Sequence, residues 1–134
     1  MPFVHRLRVR FHECDPQGVV FNAHYFAYFD VALTEMWREA FGSYGEVVDS
    51  GTDVVVAEAS ATFRAPARFD DELDVTLGID RLGTTSMTMA TLIGRDGELL
   101  VEGRMVHVFV DPATMAKKEI PDDVRAGLEP YATA

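Results

Sequence analysis

A chain of 134 residues with 48% hydrophobic and 25% charged residues carries enough apolar surface to bury one core and too little for two, so one domain over 1–134 and one site are expected. A formal net charge of -10 excludes sequence-independent nucleic-acid binding, whose affinity comes from Lys and Arg neutralising phosphates. No apolar run reaches the ~18–20 residues of a membrane span, MPFVHRLRVR lacks the apolar core of a leader, and a single cysteine forms no internal disulfide; together these point to a cytoplasmic protein with no membrane partner.

Residues 3–12, FVHRLRVRFH, alternate apolar with basic or polar side chains, the period of a strand with one buried face. Residues 23–41, AHYFAYFDVALTEMWREAF, hold no Pro or Gly and are followed by Gly42, so they form a helix of about five turns. Asn22 just before it is a good N-cap residue. Asp30, Thr34, Glu35, Arg38 and Glu39 fall on one narrow strip of this helix, leaving most of its girth aromatic or aliphatic. Such a helix has to be wrapped.

Four stretches rich in Val, Thr, Ile and Phe supply the wrapping: 53–65, 72–82, 84–94 and 98–111. They are separated by APARFDD, a turn at Gly83, and Arg95-Asp96-Gly97, whose Asp-Gly is a favoured hairpin dipeptide. Short links predict an antiparallel meander. Residues 121–129, PDDVRAGLE, predict a short helix with Pro121 and two acids in its first turn. The order β-α-β-β-β-β makes an α+β fold, an antiparallel five-stranded sheet curled around one long central helix. Such a sheet leaves open edges, and a second copy closes them, so a homodimer or homotetramer is expected.

The stretch HECDPQGVVFNAHY at 12–25 is where chemistry is concentrated. Asp15, Pro16 and Gly18 occupy the positions those residues prefer in a type I turn, which is a sufficient structural account of DPQG. A functional account stands beside it. The first amides of the helix, around Ala23, His24 and Tyr25, share the positive end of its dipole and are suited to an oxygen gaining negative charge. An acid on one side of a turn and convergent amides on the other suit attack on an activated acyl group, and a turn-forming carboxylate can also be held still for that purpose.

The run D-P-Q-G-V-V-F-N-A-H-Y at 15–25 with the aromatic helix after it, F-R-A-P-A-R-F-D-D-E-L-D-V at 63–75, and the strand ending H-V-F-V-D at 107–111 resemble the 4-hydroxybenzoyl-CoA thioesterase branch of the hotdog-fold acyl-CoA thioesterases. The resemblance implies that Asp15 is the nucleophile or the general base on water. It also implies that amides at Tyr25 and His24 polarise the thioester carbonyl, that the site forms across a dimer interface, that acyl-CoA is the substrate, and that no cofactor is needed. Many members carry Tyr or His at the position of Asn22 and Asn at that of His24, so the side chains beside the leaving sulfur differ here. The enediyne-type thioesterases share the fold but lack the acid.

Coenzyme A brings phosphates to this acidic chain. Arg64 and Arg68 flank Pro66, and Lys117 and Lys118 follow the last strand; these are the candidates for that contact, although any one of them taken singly reads more readily as a solvated surface base. Cys14 beside His12 admits a Cys/His nucleophile, but a lone cysteine is more often a small apolar residue. His12, Glu13, Asp15 and His24 match no zinc spacing, so no metal is expected. Glu35 and Glu39 read as part of a solvated stripe with Arg38. His107 reads as a satisfied sheet residue, and Met87, Met89 and Met105 as core or acyl-pocket lining. Hydrolysis of an acyl-carrier-protein thioester is the alternative on the same site, but would favour a basic docking face. A non-catalytic acyl-CoA binding module and a hydratase, which would need a His and acid pair on the helix, are the remaining readings.

Overall fold

The computed structural model describes residues 1–133. Five strands, β1 (Phe3–Arg8), β2 (Asp53–Phe63), β3 (Glu72–Leu82), β4 (Ser86–Arg95) and β5 (Glu98–Val110), form one antiparallel sheet in the order β1-β3-β4-β5-β2. Three helices accompany it: α1 (Asn22–Phe41), α2 (Tyr44–Asp49) and α3 (Asp122–Leu128). The buried rows of the strands, Leu73, Val75, Leu77 and Ile79 on β3 and Met87, Met89 and Ile93 on β4, face one side. Against them lie Tyr25, Tyr28, Phe29, Ala32, Leu33, Met36 and Trp37 of α1, spaced three and four apart as one buried stripe.

The expected meander holds only for β3, β4 and β5. The link after β4 is tight because Asp96 and Gly97 both take positive φ, at 52° and 82°, the backbone that a two-residue hairpin turn requires. Residues 64–71 make no such turn. They contain Pro66 and a bend at Asp70 with φ 72°, and they carry the chain from β2 on one sheet edge to β3, next to β1 on the other. This crossover is tied down along its length. Arg64 N–H donates to Leu100 O at 2.8 Å, Asp70 N–H to Val9 O at 3.1 Å, and Val9 N–H to Asp71 O at 2.9 Å. Arg95 reaches back from β4 to pair with Asp71 at 2.6 Å, and also donates to Pro66 O at 3.3 Å.

Three further expectations need correction. The first strand stops at Arg8, because Glu13 turns back to accept the Arg10 N–H at 2.7 Å and winds Phe11–Glu13 into a 3-10 turn; Phe11, expected on the buried face, is exposed. Asn22 is the first helical residue and not the cap: Phe21 holds the cap position with extended backbone, and no side chain caps it. The exposed face of α1 is wider than the polar strip, including Ala27 and Val31 as well as Asp30, Thr34 and Arg38, since the strands of one chain curl over only part of the helix. α2 is too short to show a period, though Ser43 accepting from Glu46 N–H at 3.0 Å is a serviceable capping signal.

The seat of α1 on the sheet is set by one glycine. A Cβ on Gly103 of β5 would collide with the Phe29 ring, so the ring lies against bare backbone. Gly103→Ala is expected to lower the unfolding free energy by about 1–3 kcal/mol through overpacking; an unchanged midpoint in a urea melt would contradict this contact. The crossover gives a pH-dependent outcome. Burial works to raise the Asp71 carboxyl, but hydrogen bonds from Arg68 N–H and the Arg95 side chain outweigh it and hold the group below its ordinary 3.8. A depressed folded value contributes stability above the unfolded value, lost as pH falls through the folded one. The gap in urea midpoint between wild type and Asp71→Asn should therefore be full at pH 7 and shrink only below about pH 4.

Candidate active site

The site is built where the two irregular segments of the chain meet the start of α1. Residues 14–20 form a tight hairpin: Cys14 bridges Val20, Asp15 N–H donates to Val19 O at 2.9 Å, and Gly18 N–H donates to Asp15 O at 2.9 Å. Gly18 makes the reversal at φ 80°. The DPQG turn of the structural reading is therefore present. Its acid is also immobilised, since Asp15 Oδ1 accepts the Gln17 N–H at 2.9 Å. Among the described residues Oδ2 has no protein partner.

The hairpin is stitched to the crossover through Val20 N–H to Ala67 O at 2.9 Å and a bridge between Val19 and Arg68. Tyr25, buried on α1, accepts the Ala67 N–H on its hydroxyl at 3.1 Å. Burial raises its pKa above the ordinary value, so it stays a neutral phenol. Between these walls lies a cavity of about 420 Å3 lined by Asp15, Gln17, Asn22, Tyr25, Phe63 and Arg64, among others.

The donors at the helix start are only partly free. Phe21 N–H is taken by Glu13 O at 3.0 Å and His24 N–H by Phe21 O at 2.9 Å. The amides of Asn22 and Ala23 have no helical carbonyl behind them, and they carry the partial positive charge of the 20-residue helix α1.

Of the residues expected at the site, the structure brings together Asp15, Asn22, Tyr25 and Arg64. Arg64 is shared with Glu102, its Nε donating at 2.7 Å. His24 does not line the cavity; its ring is edge-on to Phe21 with centroids 6.2 Å apart. Arg68 is exposed on the crossover beyond the cavity wall. Lys117 and Lys118 belong to the other end of β2. Lys117 bridges Val110, the partner of Asp53, whereas Phe63 at the opposite end lines the cavity. Lys118 is committed to a structural task, donating to Gly51 O at 2.7 Å and Thr52 Oγ1 at 3.1 Å.

Elsewhere, Glu35 pairs with Arg38 at 3.2 Å as a surface stripe would, and Glu39 accepts from the Tyr131 hydroxyl at 2.6 Å. His107 is buried as expected but not satisfied. Neither ring nitrogen has a partner among the described residues, and burial pushes its pKa down to about 4. It borders a separate cavity of about 300 Å3 with Asp30 and Thr34, which includes no residue of the Asp15 hairpin.

Two contributors went unread in the sequence. Phe63 is one, an aromatic ending a strand just before the R-A-P break. Glu13 is the other, and nothing in a lone acid between His12 and Cys14 announces burial.

An antiparallel sheet curled around one long helix is the hotdog architecture. The family model described as the thioesterase-like superfamily matches residues 9–128, and the chain belongs to that superfamily. It is similar to the acyl-CoA thioester hydrolase YbgC of Escherichia coli, 31% identical over 121 residues that cover 90% of each chain. It also resembles a protein of Aquifex aeolicus described as a putative esterase, 31% identical over 110 residues covering 82% of this chain and 86% of that one. Among solved structures, a thioesterase-superfamily protein from Jannaschia superposes with a TM-score of 0.93 at 26% identity, covering 99% of this chain and 94% of that one. None of the helices among the described residues is long and apolar enough to cross a membrane.

Proposed function

We propose that this protein hydrolyses an acyl-CoA thioester to the free acid and coenzyme A, with Asp15 as the attacking or water-activating group. The observation that carries this reading is that the Asp15 carboxylate and the start of α1 line one cavity. Membership of the thioesterase-like superfamily and the likeness to an acyl-CoA thioester hydrolase support it. With the thioester carbonyl in the cavity, its oxygen meets the open amides of the first helical turn, which stabilise charge as the carbon becomes tetrahedral. Either Asp15 adds to that carbon, the thiolate departs and water cleaves the mixed anhydride, or Asp15 takes a proton from water as the hydroxyl adds and the thiolate leaves. His24 N–H, being bonded to Phe21 O, is not among the donors in this reading.

The assembly belongs to the same proposal. β2 is an edge strand, residues 56–60 are all exposed, and Val56 and Phe63 are each 48% exposed. Two copies pairing antiparallel along β2 satisfy the free backbone edge. The pairing also sets the Asp53 end of one copy beside the Phe63 end of the other, which gives Lys117 a route to the phosphates of a ligand held by the second copy.

Asp15→Asn is expected to lower turnover of an acyl-CoA panel by roughly 10²–10⁴-fold in a free-thiol assay. A variant that folds, assembles and keeps wild-type turnover would remove Asp15 from the reaction. Ala57→Lys with Ala59→Lys on the β2 edge should shift the protein to a smaller species in sedimentation velocity, with thiol release lost in parallel; an unshifted, active protein would place the pairing surface elsewhere.

A further inference from the structure

Glu13 lies two residues before Asp15, is 6% exposed, and takes no part in the reaction described above. A buried carboxylate is costly unless each of its lone pairs is answered, and here the answers come from separate parts of the chain. Tyr28, 2% exposed on α1, donates its hydroxyl to Glu13 Oε1 at 2.8 Å. Arg10 donates its N–H to the same oxygen at 2.7 Å, and its guanidinium approaches Oε2 at 3.4 Å. The backbone of Glu13 adds another tie, its carbonyl accepting the Phe21 N–H at 3.0 Å at the very start of α1. One residue thereby joins the end of β1, the cap of α1, and the buried side of α1 where Tyr25 and Tyr28 meet edge-on with centroids 5.9 Å apart.

We propose that Glu13 and Tyr28 are a positioning pair that sets the separation between the Asp15 carboxylate and the donors at the start of α1. This rests on the thioesterase reading. The hairpin bearing Asp15 has its own internal bonds, but those fix its shape and not its placement against the helix. Placement comes from Glu13 at the base of the hairpin on one side, and from Val20 and the crossover on the other. Loss of the Tyr28 bond frees the acid's side of the hairpin to move relative to the amides. A displacement of about 1 Å between a reacting group and its donors costs on the order of 10²-fold in rate. Substrate binding, which uses the cavity walls and the surface, is left alone.

The test is steady-state kinetics of Tyr28→Phe, Glu13→Ala and Glu13→Gln, with Asp15→Asn as the reference, each checked by circular dichroism and sedimentation. Tyr28→Phe keeps the ring in the core and removes only the hydrogen bond, so it stays informative if Glu13→Ala fails to fold. Tyr28→Phe is expected to lower kcat about 10–100-fold with KM within about twofold. Glu13→Gln, whose amide oxygen still accepts from Tyr28 and Arg10, should recover to within about threefold of wild type. A purely structural role lowers the melting temperature but leaves kcat per folded enzyme intact. Wild-type kcat in folded Tyr28→Phe, or Glu13→Gln no faster than Glu13→Ala, overturns the proposal while an inactive Asp15→Asn leaves the thioesterase reading standing. A fully active Asp15→Asn overturns both.

Discussion

The helix α1 must be buried along its middle and open at its start, and the contact that reconciles the two demands is the Phe29 ring lying on the bare backbone of Gly103. That seat fixes the height of the helix above the sheet. With the middle fixed, Tyr25 falls close enough to the crossover for its hydroxyl to receive the Ala67 N–H, and Tyr28 falls beside Glu13. The start of α1 then lines the same cavity as the 14–20 hairpin. Site geometry is in this sense a by-product of core packing about two turns further along the same helix.

The electrostatics follow from the same arrangement. Most of the arginines near the sheet are already engaged: Arg6 and Arg8 with Glu72, Asp74 and Asp70, Arg64 with Glu102, Arg95 with Asp71 and Glu98, and Arg104 with Glu58. Exposed pairs of this kind contribute little to stability. Their effect on an acidic chain is to keep cations next to carboxylates, so that an incoming polyanion has to compete for them. Asp15 is a member of none of these pairs: its carboxylate accepts the Gln17 N–H, and Arg64, already held by Glu102, lines the same cavity.

The fold class and the position of every strand are legible in the sequence, because alternation and β-branched composition are local properties and the breaks between strands contain Gly, Pro or Asp-Gly. Strand order is not. Whether residues 64–71 turn back or cross over depends on which neighbour β2 finds, and the pairing with β5 is decided by residues far along the chain, such as Gly103 opposite Ala61. The turn at Asp15 was legible because an acid, a proline and a glycine are grouped just before a helix. Arg64 was placed in the cavity while Lys118 was not, because a lysine's partners, here Gly51 O and Thr52, leave no trace in its own surroundings along the chain. Asn22 misled for a related reason: a residue well suited to cap a helix sits one position too late, since Glu13 O holds Phe21 where the cap must be.

The strand order also governs the time at which the molecule can exist. β1 is made first and pairs with β3, and β2 pairs with β5, so neither edge has its neighbour until much later residues have been synthesised. Non-local pairings of this sort slow folding and lengthen the interval in which apolar strands are uncovered. On a ribosome the aromatic helix and β2 would emerge with nothing to cover them, and the sheet could close only after β5 had left the tunnel. A nascent chain of this protein therefore keeps β2 without its partner for most of translation, and a truncation anywhere before Val110 should yield a species fit for degradation and not a smaller working domain.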